Sequence, residues 1–253
     1  MHTWLALKPL LRIVAVLATL YLVAVAFVYF RQRSMLFFPS RGAPASGLVP
    51  WREGDRTIGY CRLAPRARTI WLMLHGNAGQ AADRDYVLPC LSGEDSLYVL
   101  EYPGYGARAG SPSRASFDSA ASEAYRLLRA QNPNTPVCVL AESIGSGPAC
   151  ALAGEKTPPD KIVLMVPFDS LASLASEKFP FLPVRLLLRD NWDNVESLRH
   201  YTGPVEIFAA ADDSIIPIRH AKALAEQVPA AQFHEIPGRH NEWAEPGRVK
   251  IQR

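Results

Sequence analysis

The longest apolar stretch of the chain lies near its amino terminus. Residues 13–30 read IVAVLATLYLVAVAFVYF, carry no charge, and have basic residues on both sides. Eighteen helical residues rise about 27 Å, close to the hydrocarbon thickness of a bilayer. A cleaved signal peptide has a shorter apolar stretch that ends in small residues, whereas this one ends in FVYFR. We therefore predict a single-pass anchor over residues 1–33 that contacts the membrane through residues 13–30. The two sides of the apolar run carry similar numbers of basic residues, so the charges do not predict which end faces the cytoplasm.

The remainder of the chain alternates short apolar runs with longer amphipathic stretches. Residues 34–57 include PSRGAPASGLVPW, a composition typical of a linker or an irregular leading strand. Strands are predicted over Ile58–Leu63, Thr69–Leu74, Leu97–Glu101, Val137–Ala141, Ile162–Val166, Val205–Ala210 and Phe233–Ile236, and helices over Phe117–Ala130 and His220–Val228. Several of the strands are almost wholly apolar, as expected for a sheet that is covered on both faces. The alternation predicts one α/β domain over residues 58–253, with a doubly wound, mainly parallel sheet.

Composition and charge narrow the classes of function. The chain has 253 residues, 49% of them hydrophobic, and a net charge of +3 that is scattered along the sequence. This is globular composition, and it gives no reason to expect a nucleic-acid partner. The four cysteines are far apart and form no C-x-x-C pair, so no metal site is predicted. Cys138 and Cys150 lie among small or apolar residues and are interpreted as core residues, with the redox state left open.

Unusual polar and glycine-rich segments follow the predicted strand ends. In open parallel sheets, ligand sites form beyond the carboxyl ends of the strands, so these segments are expected to meet. The most specific of them is Ala141–Gly145 (AESIG), which runs from a strand into a helix start. It differs from the G-x-S-x-G pattern only by alanine at the first position, where a small residue is needed. Ser143 is therefore the predicted nucleophile.

A serine nucleophile needs a base, and the base needs an orienting acid. For this topology the order along the chain is serine, acid, histidine. Asp212 and Asp213 follow the strand that ends at Ala210, and His240 follows the last predicted strand. The residues alone leave open which of the two aspartates is the acid.

The segment HGNAG at residues 75–79 follows another strand end. Its backbone N–H groups are suited to stabilise a developing oxyanion, with Asn77 as one donor and Ile144, the residue after the nucleophile, as the second. The alternatives are a plain strand–helix turn or a phosphate loop. The spacing of neither common phosphate-loop motif is present.

These motifs resemble the α/β-hydrolase superfamily, and most closely its membrane-anchored branch of depalmitoylases and lysophospholipid or monoacylglycerol lipases. The resemblance rests on LFFPSRG, LMLHGNAG, EYPGYGARAGSPS and AESIGSG with PFDSL downstream, and it covers roughly residues 35–242. It implies Ser143 as nucleophile, Asp213 as acid and His240 as base, with Asn77 and Ile144 forming the oxyanion hole. The chain departs from the family pattern at Ala141 and at Ala210, two positions where glycine is usual.

The resulting prediction is a membrane-anchored serine hydrolase that cleaves an acyl ester or thioester, with a lipid among the candidate substrates, and that needs no cofactor. Residues 170–199 are long for a connection and contain the apolar segment FPFLP, so a small cap is predicted there, with a peripheral helix as the alternative. Two other functions stay open. One is a non-catalytic, membrane-tethered binding module, and the other is a serine peptidase on the same fold.

Overall fold

A computed structural model describes residues 3–42, 47–229 and 231–253 of the chain. Residues 1 and 2 of the predicted anchor and residues 43–46 of the predicted linker lie outside the described residues. The helices are α1 (Thr3–Leu36), α2 (Arg114–Gln131), α3 (Ser146–Ala151), α4 (Leu171–Lys178), α5 (Val184–Leu187), α6 (Asn194–Leu198) and α7 (Ile218–Gln227). The strands are β1 (Val49–Glu53), β2 (Arg56–Arg62), β3 (Ile70–Leu74), β4 (Ser96–Leu100), β5 (Val137–Glu142), β6 (Ile162–Met165), β7 (Val205–Ala210) and β8 (Ala231–Ile236). Short 3₁₀ segments cover Ala81–Cys90, Ser143–Gly145 and Leu152–Gly154.

Within the described residues, eight strands form one sheet in the order β1-β2-β4-β3-β5-β6-β7-β8. The pairs β1–β2 and β2–β4 are antiparallel, and the remaining pairs are parallel. Every residue of β3, β5 and β6 is buried, because core side chains cover both faces of the sheet. The predicted doubly wound, mainly parallel sheet is confirmed.

The amphipathic pattern and its capping residues explain α2. Ser113 accepts a hydrogen bond from the backbone N–H of Ser116, and the Ser116 side chain accepts one from the backbone N–H of Ser113. This reciprocal cap satisfies donors that the first turn leaves without partners. The helix buries one face, from Phe117 to Leu128, against the sheet.

The first strand lies inside the segment 34–57, for which the sequence predicts a linker or an irregular leading strand. β1 forms a hairpin with β2, and Trp51 is buried with its ring 4.9 Å from that of Tyr98. Its polar, proline-containing sequence lacks the alternation of apolar and polar residues that would predict a strand. An edge strand has one solvent-facing side and tolerates such residues.

The segment 170–199, for which a cap is predicted and which is called the cap below, contains three short helices, α4, α5 and α6. An antiparallel bridge between Ser170 and Asp193 closes its base, and each of these two residues also caps the helix that follows it. Trp192 anchors the cap, since its ring is buried and its Nε1 donates to Asp118 at 2.7 Å. Trp192 therefore holds the cap against α2.

Candidate active site

Ser143 occupies a sharp turn between β5 and α3. Its backbone φ is +53°, a left-handed conformation that non-glycine residues rarely adopt and that often marks functional sites. Gly145 is required beside it, because a Cβ there would overlap the carbonyl oxygen of Leu74 in β3. Ala141 at the first motif position is fully buried and pairs with Leu74, so its methyl group is accommodated.

The structure brings Ser143, His240 and Asp213 together, although they are far apart in sequence. His240 Nε2 lies 2.9 Å from Ser143 Oγ, and His240 Nδ1 lies 2.6 Å from Asp213 Oδ2. All three residues are buried. The Ser143 hydroxyl is thus within hydrogen-bond distance of a base that is itself held by a carboxylate, which is the arrangement that activates a serine.

The two neighbouring aspartates have different environments. Asp213 Oδ1 accepts hydrogen bonds from the backbone N–H groups of Ile215 and Ile216, both at 2.8 Å, which leaves Oδ2 for His240. Asp212 is exposed, and its backbone N–H donates to the carbonyl of Gly238. The geometry thus favours Asp213, the residue that the resemblance implies.

The expected oxyanion donors belong to the nucleophile turn and to the loop after β3. Ile144 is buried directly after Ser143, and Asn77 lies in the loop after β3. No hydrogen bond within the described residues uses the backbone N–H of Asn77. Its side chain joins three segments: Oδ1 accepts from Phe38 N at 3.1 Å and from Tyr105 Oη at 2.8 Å, and Nδ2 donates to Leu36 O. The end of α1 is therefore attached to the predicted oxyanion loop.

A buried network of charged and polar side chains around Glu142 supports the loop after β3. The sequence alone did not predict this network. Glu142 accepts hydrogen bonds from Gly76 N at 3.1 Å, Tyr86 Oη at 2.7 Å and Trp243 Nε1 at 3.1 Å, and Arg84 lies 3.9 Å away. Burial opposes ionisation of Glu142, but the charge of Arg84 and these hydrogen bonds hold its pKa below the ordinary value. The carboxylate ties the nucleophile turn to the oxyanion loop. Its only sequence signal is an acidic residue at the variable position of the motif.

The other titratable side chains that the sequence offers are placed differently. His220 contacts Asp169 at 2.7 Å, away from the Ser143 hydroxyl, and His234 stacks on Phe208. Cys138 and Cys150 are buried in the core, as predicted, and are free thiols in this structure. Burial raises the pKa of Cys138 to about 12. Among the described residues, no group of three or more His, Cys, Asp or Glu side chains is arranged to hold a metal ion.

Comparison with known proteins gives relatives of moderate similarity. No protein-family model matches the chain. An uncharacterized protein of Mycobacterium tuberculosis is 29% identical over 244 residues, 90% of this chain and 86% of the relative. The lysophosphatidylserine lipase ABHD12 of Macaca fascicularis is 27% identical over 212 residues, and the match covers 74% of this chain and 53% of the lipase. The chain thus aligns with about half the length of that enzyme.

Among solved structures, an esterase from Pyrococcus furiosus superposes with a TM-score of 0.62 at 12% identity, over 83% of this chain and 91% of that one. The fold is that of the α/β-hydrolases. With relatives and structural neighbours that include lipases and esterases, the predicted resemblance to the α/β-hydrolase superfamily is confirmed.

Proposed function

We propose that the protein is a serine hydrolase that cleaves acyl esters or thioesters at Ser143. The observation that carries the proposal is the hydrogen-bonded series from Ser143 Oγ through His240 to Asp213, at 2.9 Å and 2.6 Å. The lipase and esterase names of its relatives and structural neighbours support the ester class.

The proposed reaction has two halves. Ser143 Oγ attacks the acyl carbonyl carbon while His240 Nε2 takes the hydroxyl proton, and Asp213 stabilises the resulting imidazolium. The carbonyl oxygen becomes an oxyanion that faces the backbone N–H groups of Asn77 and Ile144. When the intermediate collapses, the alcohol or thiol leaves with the proton from His240. Water then attacks the acyl-enzyme, with His240 again as the base, and releases the acid.

The direct test is hydrolysis of p-nitrophenyl butyrate, a matched acyl thioester and a lysophospholipid by the wild-type protein and by Ser143→Ala. We expect turnover of at least one substrate, and a loss of about three orders of magnitude or more in the variant, while the fold is retained. Peptide hydrolysis that depends on Ser143, without ester hydrolysis, would favour the peptidase alternative. Equal ester turnover by both proteins would refute the proposed nucleophile.

We further propose that α1 anchors the protein in a membrane as a single span. Among the described residues, one helical segment is long and apolar enough to cross a bilayer, and it is the part of α1 from Lys8 to Leu36. The side chains of residues 8–20 in this segment are exposed. Exposure of so many apolar side chains to water is unfavourable. The protein should therefore stay in the membrane fraction after carbonate extraction, and its release would contradict the proposed span.

A further inference from the structure

The cap packs along α1 as well as over the catalytic domain. The hydroxyl of Tyr21 donates to the backbone carbonyl of Phe181 at 2.9 Å, and Arg33 forms a two-bond ion pair with the buried carboxylate of Asp190 at 2.7 and 3.1 Å. Tyr21 and Arg33 are twelve positions apart in α1, which corresponds to about 18 Å along the helix. The cap therefore lies alongside the apolar run of α1.

An apolar cavity of about 230 Å³ lies between α1 and the cap. Its walls include Val28, Met35 and Leu36 from the helix and Phe179, Leu182 and Leu187 from the cap. The volume is below the roughly 300–1,000 Å³ of most drug-sized ligand sites. A single narrow chain fits such a space better than a branched or two-chain group.

Polar groups in this cavity are already satisfied. Gln32 is the one polar residue among the described lining residues. Its Nε2 donates to the carbonyls of Tyr29 and Leu187, and its Oε1 accepts from Arg189 N. With no polar side chain left to bind a headgroup, the cavity suits a hydrocarbon occupant, because an unpaired polar group would be costly there.

The residues that line the cavity include one that contacts the predicted oxyanion loop and one from the apolar run of α1. At one end, the carbonyl of Leu36 accepts a hydrogen bond from the side chain of Asn77. At the other end, Val28 lies within the apolar run. Further along α1, Tyr21 contacts the cap at Phe181, whose side chain is 87% exposed. Large apolar side chains exposed next to an apolar helix are typical of a surface that contacts lipid.

We infer that this cavity binds one acyl chain of a lipid that enters from the surrounding leaflet, with α1 as one wall of the binding site. The inference rests on the proposed function, since it places the ester group of that lipid at Ser143. It makes the anchor helix α1 part of the substrate site.

The kinetic test replaces leucine by tryptophan at two positions of the cap, one in each variant. Leu182→Trp fills the cavity, whereas Leu186→Trp changes a side chain that is 85% exposed and does not line it. Both full-length variants are assayed with p-nitrophenyl butyrate and p-nitrophenyl palmitate in detergent micelles. We expect Leu182→Trp to lower the palmitate-to-butyrate ratio of kcat/KM roughly tenfold or more, the size of effect that lost apolar pocket contacts produce. Leu186→Trp should keep the wild-type ratio.

Butyrate hydrolysis and labelling by a fluorophosphonate serve as controls for folding. An unchanged ratio in a Leu182→Trp protein that still hydrolyses butyrate would overturn the acyl-site inference and leave the proposed function standing. If no variant hydrolysed any ester, the proposed function would fail instead.

A binding experiment tests the cavity without turnover. Full-length Ser143→Ala in phosphatidylcholine vesicles is photolysed with a long-chain fatty acid that carries a diazirine at its terminal carbon. We expect cross-links within 28–36 and 175–188, and a several-fold loss of those cross-links in Ser143→Ala/Leu182→Trp. Cross-links spread evenly over the exposed part of α1, or unaffected by Leu182→Trp, would overturn the inference.

Discussion

Replacement of Asp213 by asparagine tests how the histidine is oriented. Asp213 Oδ1 accepts from two backbone N–H groups, at 2.8 Å each. An asparagine must keep its carbonyl oxygen at that position, because an amide NH₂ group donates and does not accept. The NH₂ group then faces His240 Nδ1, where the carboxylate oxygen lay at 2.6 Å.

This change reverses the required tautomer. With a donor opposite Nδ1, the imidazole carries its proton on Nε2, which lies 2.9 Å from Ser143 Oγ. A protonated Nε2 cannot accept the serine proton. The same type of substitution in another serine hydrolase costs about 10⁴-fold in kcat, which corresponds to about 5 kcal/mol of transition-state stabilisation. We expect a loss of this order here.

The assay is kcat for p-nitrophenyl butyrate, with Asp212→Asn as the matched control. Asp212 is exposed, and the hydrogen bond that the structure gives it uses its backbone N–H, so its variant should keep kcat within about twofold. Both variants should unfold near the wild-type temperature, because asparagine retains the shape of aspartate. A larger loss in Asp212→Asn, or more than a tenth of wild-type kcat in Asp213→Asn, would refute the assignment.

Three further predictions concern the support of the site. Gly145→Ala should destabilise the fold by about 1–3 kcal/mol in urea unfolding and slow fluorophosphonate labelling, because its Cβ overlaps the Leu74 carbonyl; a wild-type midpoint would contradict this. Glu142 has a lowered pKa in the folded protein, so its ionised form stabilises the fold above the unfolded pKa of about 4.3, and this stabilisation is lost as the pH falls through the lowered value. Unfolding at several pH values should therefore show that Glu142→Gln is less stable than wild type near pH 7 and that the difference becomes smaller in acid. A difference that does not change with pH would contradict a stabilising role for the ionised carboxylate. Asn77→Ala should cost about 2–4 kcal/mol in thermal unfolding, because the phenol of Tyr105 and the end of α1 lose their shared partner; a change below about 0.5 kcal/mol would show that this attachment is unimportant.

The sequence was informative where a short motif fixes local geometry. The strand–serine–glycine turn predicted Ser143, and the order of segments after later strands predicted His240 and an acid at Asp212 or Asp213. Only the family resemblance singled out Asp213. This works because parallel strands bring their carboxyl ends to one edge of the sheet. The motif's missing first glycine had no visible effect on the turn, because Ala141 pairs within the sheet.

Short motifs do not predict contacts between segments that are far apart in the sequence. Nothing local marks Glu142 as the partner of Gly76, which is 66 residues away. The apolar run ends at Phe30, yet α1 continues to Leu36. Its last turns are polar enough to look like the start of a linker, but they are stabilised by contacts with the cap, such as Arg33 with Asp190.

The most direct test of the central claim is identification of the residue that a fluorophosphonate modifies. Full-length protein in detergent is labelled, digested and analysed by peptide mass spectrometry, beside His240→Ala as the variant that lacks the base. A serine activated as proposed should give one adduct, on Ser143, which forms far more slowly in the variant because the hydroxyl no longer has a proton acceptor at 2.9 Å. An adduct on another residue, or ester hydrolysis by a protein in which Ser143 stays unmodified, would contradict the account.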